Sequence, residues 1–239
     1  MLDTAETADV AVDLHVVRRI GEHHLRTVAV EQADIGGGIG HFAQAVRERL
    51  GRDVRVIDMD LESVAQCQTR GIPAQLGDAL APSIDGDEGC VCLNLILHHL
   101  VGLNERTTRS LQTRALAAWR GSDVRIFVNE YIYESYVRRL SGRLIYEITS
   151  SQLMSAIGSG IAKFIPALRA NTFGVGVRFR SHEEWRELFA EAGYSIKRTH
   201  IGRNEPVRLP LRLLLIKAIR RDSYYLQPND GEGPVRSPL

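Results

Sequence analysis

Four glycines fall within seven residues in Asp34-Ile35-Gly36-Gly37-Gly38-Ile39-Gly40. Residues 28–33 before them are rich in β-branched and apolar types and read as a strand. Residues 41–50 after them are strong helix formers with an apolar stripe at Phe42, Ala45 and Val46. A glycine turn between a strand and a helix lets a ligand press on bare backbone. The helix start adds unpaired N–H groups and partial positive charge, which suits the polar or anionic part of a nucleotide-like cofactor. Asp58 follows the glycines by about 20 residues, the separation at which a carboxylate on the second strand accepts the vicinal hydroxyls of a ribose. Adjacent histidines, His98 and His99, offer side chains that exchange a proton near neutral pH.

Positioning these groups requires a particular order of elements. Short strands are predicted over residues 53–58, 74–76, 90–95 and 122–128, with helices over 61–70 and 104–120 between them. Asp60 is placed to cap the first of those helices. Ser181-His-Glu-Glu184 has the form of a capping box, opening a helix with Trp185, Leu188, Phe189 and Ala192 as its apolar face and Gly193 at its end. Residues 194–201 and 211–219 read as two closing strands. Strands alternating with helices imply an α/β chain with a doubly wound parallel sheet, whose ligands bind outside the carboxyl ends of the strands. Asp34, Asp58, Asp78, Asn94 and Glu130 all fall at predicted strand ends.

The glycine spacing distinguishes two cofactors incompletely. A dinucleotide fingerprint G-x-G-x-x-G starting at Gly36 would need glycine at His41; starting at Gly38 it meets Ala43, which the looser form admits. Asp34-x-Gly36-x-Gly38-x-Gly40 resembles the first motif of the class I S-adenosylmethionine (SAM) dependent methyltransferases. Gly77-Asp78-Ala79 is similar to the segment where those enzymes hold adenine. Leu97-His98-His99-Leu100 resembles a phrase common in the ubiquinone-biosynthesis-like, small-molecule members, and Arg180-Ser-His-Glu-Glu-Trp185…Ala192-Gly-Tyr194 resembles their last helix. Polar Glu31 and Gln32 depart from that family's apolar first strand.

The resemblance implies a Rossmann-like, seven-stranded, mostly parallel sheet with an antiparallel last strand and a helical lid insertion. It implies one domain over residues 1–226, with an N-terminal helix or flap over 1–25, the lid over 133–173 and a disordered tail over 227–239. SAM is the implied cofactor, held by Asp34, Gly36, Gly38, Gly40, Asp58, Met59, Asp78, Ala79 and Asn94. Within that set Asp58 takes the ribose, Asp78 the adenine amino group, and the Ala79 N–H a ring nitrogen. His98 or His99 is the expected base, and Glu130, Tyr131 and Tyr133 are expected substrate contacts. A sulfonium methyl is already activated, so no metal is expected.

With 30 basic and 29 acidic residues, the chain carries a formal net charge of +1, which gives no field for nucleic acid. No stretch reaches the roughly 18 apolar residues of a membrane span, and no membrane partner is expected. The N-terminal segment is acidic rather than basic, unlike a secretory signal. Three cysteines, Cys67, Cys90 and Cys92, read as buried reduced thiols in a cytoplasmic protein, with strand neighbours pointing to opposite faces. No Asn/Asp-Pro-Pro-Tyr phrase follows the fourth strand, so a small organic acceptor is expected, methylated on oxygen before nitrogen before carbon, by a monomer or homodimer. A place in specialised-metabolite biosynthesis fits that chemistry. Two other readings stay open: an NAD(P)-dependent oxidoreductase, and a SAM-binding protein that does not methylate.

Overall fold

The computed structural model describes residues 31–86, 88–120, 124–137 and 176–229. The predicted N-terminal helix or flap, residues 138–173 of the predicted lid, and residues 230–239 of the predicted tail lie outside the described residues. The elements, in chain order, are β1 (Glu31–Ile35), α1 (His41–Leu50), β2 (Val54–Asp58), α2 (Leu61–Thr69), β3 (Ala74–Leu76) and β4 (Glu88–Asn94). A 3₁₀ turn (Leu97–His99), α3 (Glu105–Ala117), β5 (Arg125–Ser135), α4 (His182–Glu191), β6 (Tyr194–His200), α5 (Leu209–Leu213) and β7 (Ile216–Pro228) follow. The strands form one seven-stranded sheet in the order β3-β2-β1-β4-β5-β7-β6. β1 is parallel to both β2 and β4, β2 is parallel to β3, and β6 runs antiparallel to β7.

The chain divides into two compact units. In the first, which holds residues up to 94 and 118–128, alternate residues of β2 and β4 share one sheet face because strand side chains repeat every two residues. Val54, Val56, Cys90 and Cys92 point to that face and meet Phe42, Ala45 and Val46 of α1 and Cys67 of α2. Cys90 and Cys92 therefore stand side by side, since positions two apart in a strand do not diverge. Asp60 caps α2 as predicted, its Oδ2 accepting the Ser63 N–H at 3.0 Å.

In the second unit, residues 95–117 and 129–229, the predicted capping box is present on α4. Trp185, Leu188 and Phe189 of that helix are completely buried. Two buried arginines in the segment before α4 tie neighbouring elements together. Arg178 donates to Glu105 and Glu184, at 2.7 and 2.8 Å, and Arg180 donates to Glu105 and Gln112, each at 2.7 Å. Burial pulls the Glu105 carboxyl up, but Arg180 and Arg178 outweigh it and hold the group below its ordinary value.

Several boundaries differ from the sequence reading. β1 ends at Ile35, so Asp34 lies inside the strand rather than beyond it. β5 runs on to Ser135, which places Glu130 in mid-strand and takes Tyr133 out of the predicted lid. The apolar run at 211–219 is not one strand: α5 turns first, Leu215 takes φ 61°, and β7 then begins at Ile216. β7 continues through Pro228, into the segment read as tail.

Gln32, one of the polar residues of β1, is 1% exposed, and among the described residues its amide oxygen and nitrogen have no hydrogen-bond partner. An unsatisfied buried amide costs about 1–3 kcal/mol. Gln32→Leu removes that cost at similar volume, and urea unfolding is expected to show a gain of about 1–2 kcal/mol. A loss of stability would mean the amide serves an interaction the folded chain needs.

Candidate functional site

The glycine turn in the first unit is held from three sides. Gly36 donates its N–H to the Ile57 carbonyl at 2.8 Å, linking the ends of β1 and β2. The Asp58 carboxylate accepts the Gly38 N–H on Oδ2 at 2.8 Å and the Asp60 N–H on Oδ1 at 2.9 Å. From behind, the Cys67 thiol donates to the Gly38 carbonyl at 3.2 Å and Arg70 donates to the Ile39 carbonyl at 2.6 Å. Burial pushes the Cys67 thiol up, so it keeps the proton it donates.

The glycines divide into two kinds. Gly38 has φ 54°, and a Cβ built there would have nothing within 4 Å, so this stretch of backbone faces open space. Gly40, with φ 79°, would drive a Cβ to 2.9 Å from both Cys67 Sγ and Ile72 Cδ1; here glycine serves close packing. The turn thus presents bare backbone on one side and is wedged on the other.

Beside it, Asp58 is half-buried at the end of β2, and Gly77 donates its N–H to the Asp58 carbonyl at 2.9 Å. Asp78 is exposed, with Ala79 next to it half-buried, and its Oδ1 accepts the Leu80 N–H at 2.8 Å. Met59 is 79% exposed and Leu76 54% exposed, so two large apolar side chains stand in water within a residue or two of two carboxylates. Asn94 ends β4, half-buried. The geometry suits a ribose on Asp58 and a planar ring against apolar side chains near Asp78.

Asp34 does not join this row. It is completely buried, and a Cβ on Gly37 would lie 2.8 Å from its Cγ. Its carboxylate lies close against Gly37 inside the fold, because β1 extends one residue past it. Leu76, Cys67 and Arg70 were not singled out from sequence. Nothing in the chain order marks a helix thiol or arginine as a backbone prop.

The second unit holds the histidines. Glu130 is completely buried and spends its carboxylate on the 3₁₀ turn: Oε1 accepts the Leu97 N–H at 2.7 Å, and Oε2 lies 2.7 Å from His98 Nδ1. His98 is 1% exposed, stacked on Phe179 with ring centres 5.0 Å apart and edge-on to Tyr131 at 5.9 Å. The His98 carbonyl accepts the Arg178 N–H at 2.9 Å, and Gln112 donates to the Leu97 carbonyl at the same distance. Tyr133 stacks on Phe179 at 4.2 Å, and Arg221 lies over the Tyr131 ring while donating to its hydroxyl at 2.6 Å. His99, half-buried with its ring 4.1 Å from that of His98, is pushed down to about 3, first by burial and then by His98. The two histidines are therefore not equivalent. His98 is oriented through Nδ1 by Glu130, and His99 is neutral at any physiological pH.

Among solved structures the fold recurs. The mitomycin 7-O-methyltransferase MmcR matches 91% of this chain and 54% of its own at 15% identity, with a TM-score of 0.56. LepI, in complex with SAM, matches 90% of this chain and 46% of its own at 16% identity and a TM-score of 0.57. A geranyl diphosphate methyltransferase in complex with SAM matches 95% of this chain and 92% of its own at 10% identity and a TM-score of 0.56. The chain spans about half the length of the first two. No protein-family model matches it, and no curated protein matches it. The fold is the Rossmann-like methyltransferase fold that MmcR shows, with the antiparallel end expected from sequence.

The depressed His99 value has a consequence for stability. Its folded value lies below the usual 6.5, so between about 6.5 and 3 the unfolded chain binds the extra proton. Stability contributed at neutral pH is lost as pH falls through that window. His99→Phe is expected to flatten the fall in urea-unfolding free energy between about pH 7 and pH 4, relative to the wild-type chain. An unchanged slope would show that His99 titrates normally.

Proposed function

We propose that this chain is a SAM-dependent methyltransferase that delivers a methyl group to an oxygen of a small organic acceptor. The observation that carries the reading is the Asp58 carboxylate. It is half-buried at a strand end, hydrogen-bonded to the glycine turn it would share with a nucleoside, and flanked by exposed Met59 and by Asp78. Those groups fit an adenosyl ligand. Asp58 would take the ribose hydroxyls, Asp78 and the Ala79 N–H the adenine edge, Met59 and Leu76 its faces, and the open backbone at Gly38 the polar tail. Bound there, SAM supplies an electrophilic methyl group on a sulfonium. The naming of MmcR as an O-methyltransferase, and of two fold neighbours as complexes with SAM, supports the same reading.

The chain's own contribution to the acceptor is proton handling and orientation. Glu130 fixes His98 through Nδ1, so Nε2 is the nitrogen left to take a proton from an acceptor hydroxyl. The same carboxylate stabilises the imidazolium that forms. His99, held neutral, contributes packing or a neutral hydrogen bond rather than base strength. The expected substrate contacts Glu130, Tyr131 and Tyr133 are buried in the strand, so they shape the surroundings of His98.

A second reading rests on one observation. His98 is 1% exposed, and an acceptor reaches it only if covering side chains move. A chain in which they do not move would bind SAM without methylating.

Calorimetric titration of the whole chain with SAM is expected to show saturable binding, weakened by roughly 1–3 kcal/mol in Asp58→Ala through loss of a charged hydrogen-bond acceptor. Unchanged affinity in that variant would remove the ribose assignment. With labelled methyl donor and a panel of hydroxylated small molecules, His98→Ala is expected to lower turnover by about 10²–10⁴ while SAM affinity holds. Full turnover in His98→Ala would dismiss the base. Tight SAM binding with no turnover across the panel would favour the second reading.

A further inference from the structure

The short helix α5 sits on the second unit by one side only. Leu211 is 3% exposed and packs among Ile216, Ile219 and Phe179. Leu209 and Leu213, one turn apart and so in one row, are 71% and 75% exposed. Arg208 and Arg212 have the same spacing and form an exposed row beside them. Ile201, 58% exposed, precedes the helix, and exposed Lys217 follows it. None of the salt bridges among the described residues engages Arg208, Arg212 or Lys217. Residues 197–217 carry six lysines and arginines against one acid, in a chain whose net charge is only +1. Charge that is balanced over the whole chain is thus concentrated here, and leucines stand among it.

We propose that α5 and its flanks dock this chain on an anionic lipid surface. The arrangement of the two rows selects that partner. At a bilayer surface, apolar side chains enter the acyl boundary while arginines spread to the phosphates, so adjacent rows of the two types are satisfied together. A folded protein partner fits less well, because a specific interface needs about 800 Å² per side and two leucines offer a small fraction of that. Among the described residues no helix is long and apolar enough to cross a membrane. The absence of an apolar span, which led to the expectation of no membrane partner, excludes a crossing but not a surface contact. The inference stands independently of the methyltransferase reading.

The experiment is co-sedimentation of the whole chain with vesicles of phosphatidylcholine alone and of phosphatidylcholine with phosphatidylglycerol. Binding is expected only to the anionic vesicles, and to be suppressed by salt. Arg208→Glu with Arg212→Glu is expected to weaken partitioning about tenfold or more, and Leu209→Ser with Leu213→Ser several-fold. These positions lie outside the groups assigned to SAM and to His98, so unchanged SAM affinity and melting temperature report that each variant is folded. Three results would overturn the proposal: no binding to anionic vesicles at low salt, equal binding to neutral ones, or folded variants of both kinds that bind as the wild type does. Self-association abolished by the leucine variant, with no vesicle binding, would assign the patch to a second copy of the chain instead.

Discussion

A single carboxylate, that of Asp58, sets the form of the glycine turn in the first unit. Its two oxygens take backbone N–H groups from two different loops, Gly38 after β1 and Asp60 after β2. Each bond is short and charge-assisted, the kind worth most among hydrogen bonds. Without them the glycine turn would keep the freedom that glycines bring, and binding would have to supply the ordering entropy. The same group is the natural acceptor for ribose hydroxyls, since each carboxylate oxygen has more than one lone-pair site. On the proposed reading, the side chain that organises the turn also takes up the ligand. Cys67 and Arg70 complete the hold from the other side by taking up the Gly38 and Ile39 carbonyls.

Glu130 plays a comparable part in the second unit. A completely buried carboxylate is costly unless it is fully engaged. Here the Leu97 N–H and the His98 imidazole engage it, and the 3₁₀ turn takes its shape from those bonds. The turn is further fixed by Gln112 and by the Arg178 backbone, which bring α3 and the segment before α4 to the same few atoms. Arg178 and Arg180 in turn share Glu105. This packing fixes the His98 imidazole through Nδ1, the orientation that the proposed role as proton acceptor uses. A lone surface histidine would have neither the orientation nor the stabilising carboxylate.

Much of this was legible in the chain, for identifiable reasons. Glycine spacing, β-branched runs and the acids that end them are local, so β2, β3, α1 and the cap of α2 fall close to where periodicity places them. Asp58 and Asp78 stand where a strand-end reading puts them. The pairing of His98 with Glu130 was not legible, because the partners are 32 residues apart and only tertiary structure brings them together. Asp34 was read as ending its strand, but β1 runs one residue further and buries it. Residues 211–219 misled for another reason. A run of leucines fits helix or strand equally well, and the turn at Leu215 carries no sequence mark. Gln32 breaks the apolar pattern of its strand and is buried all the same, since the hydrophobic neighbours on either side fix the register.

The most direct measurement is a crystal structure of the whole chain grown with S-adenosylhomocysteine, the product left after methyl transfer. The account predicts the ribose hydroxyls within hydrogen-bond distance of Asp58, the adenine edge at Asp78, and the amino-acid tail over the backbone at Gly38. Clear density for the nucleoside elsewhere, or a saturating soak that leaves the Asp58 carboxylate contacting only Gly38 and Asp60, would contradict it.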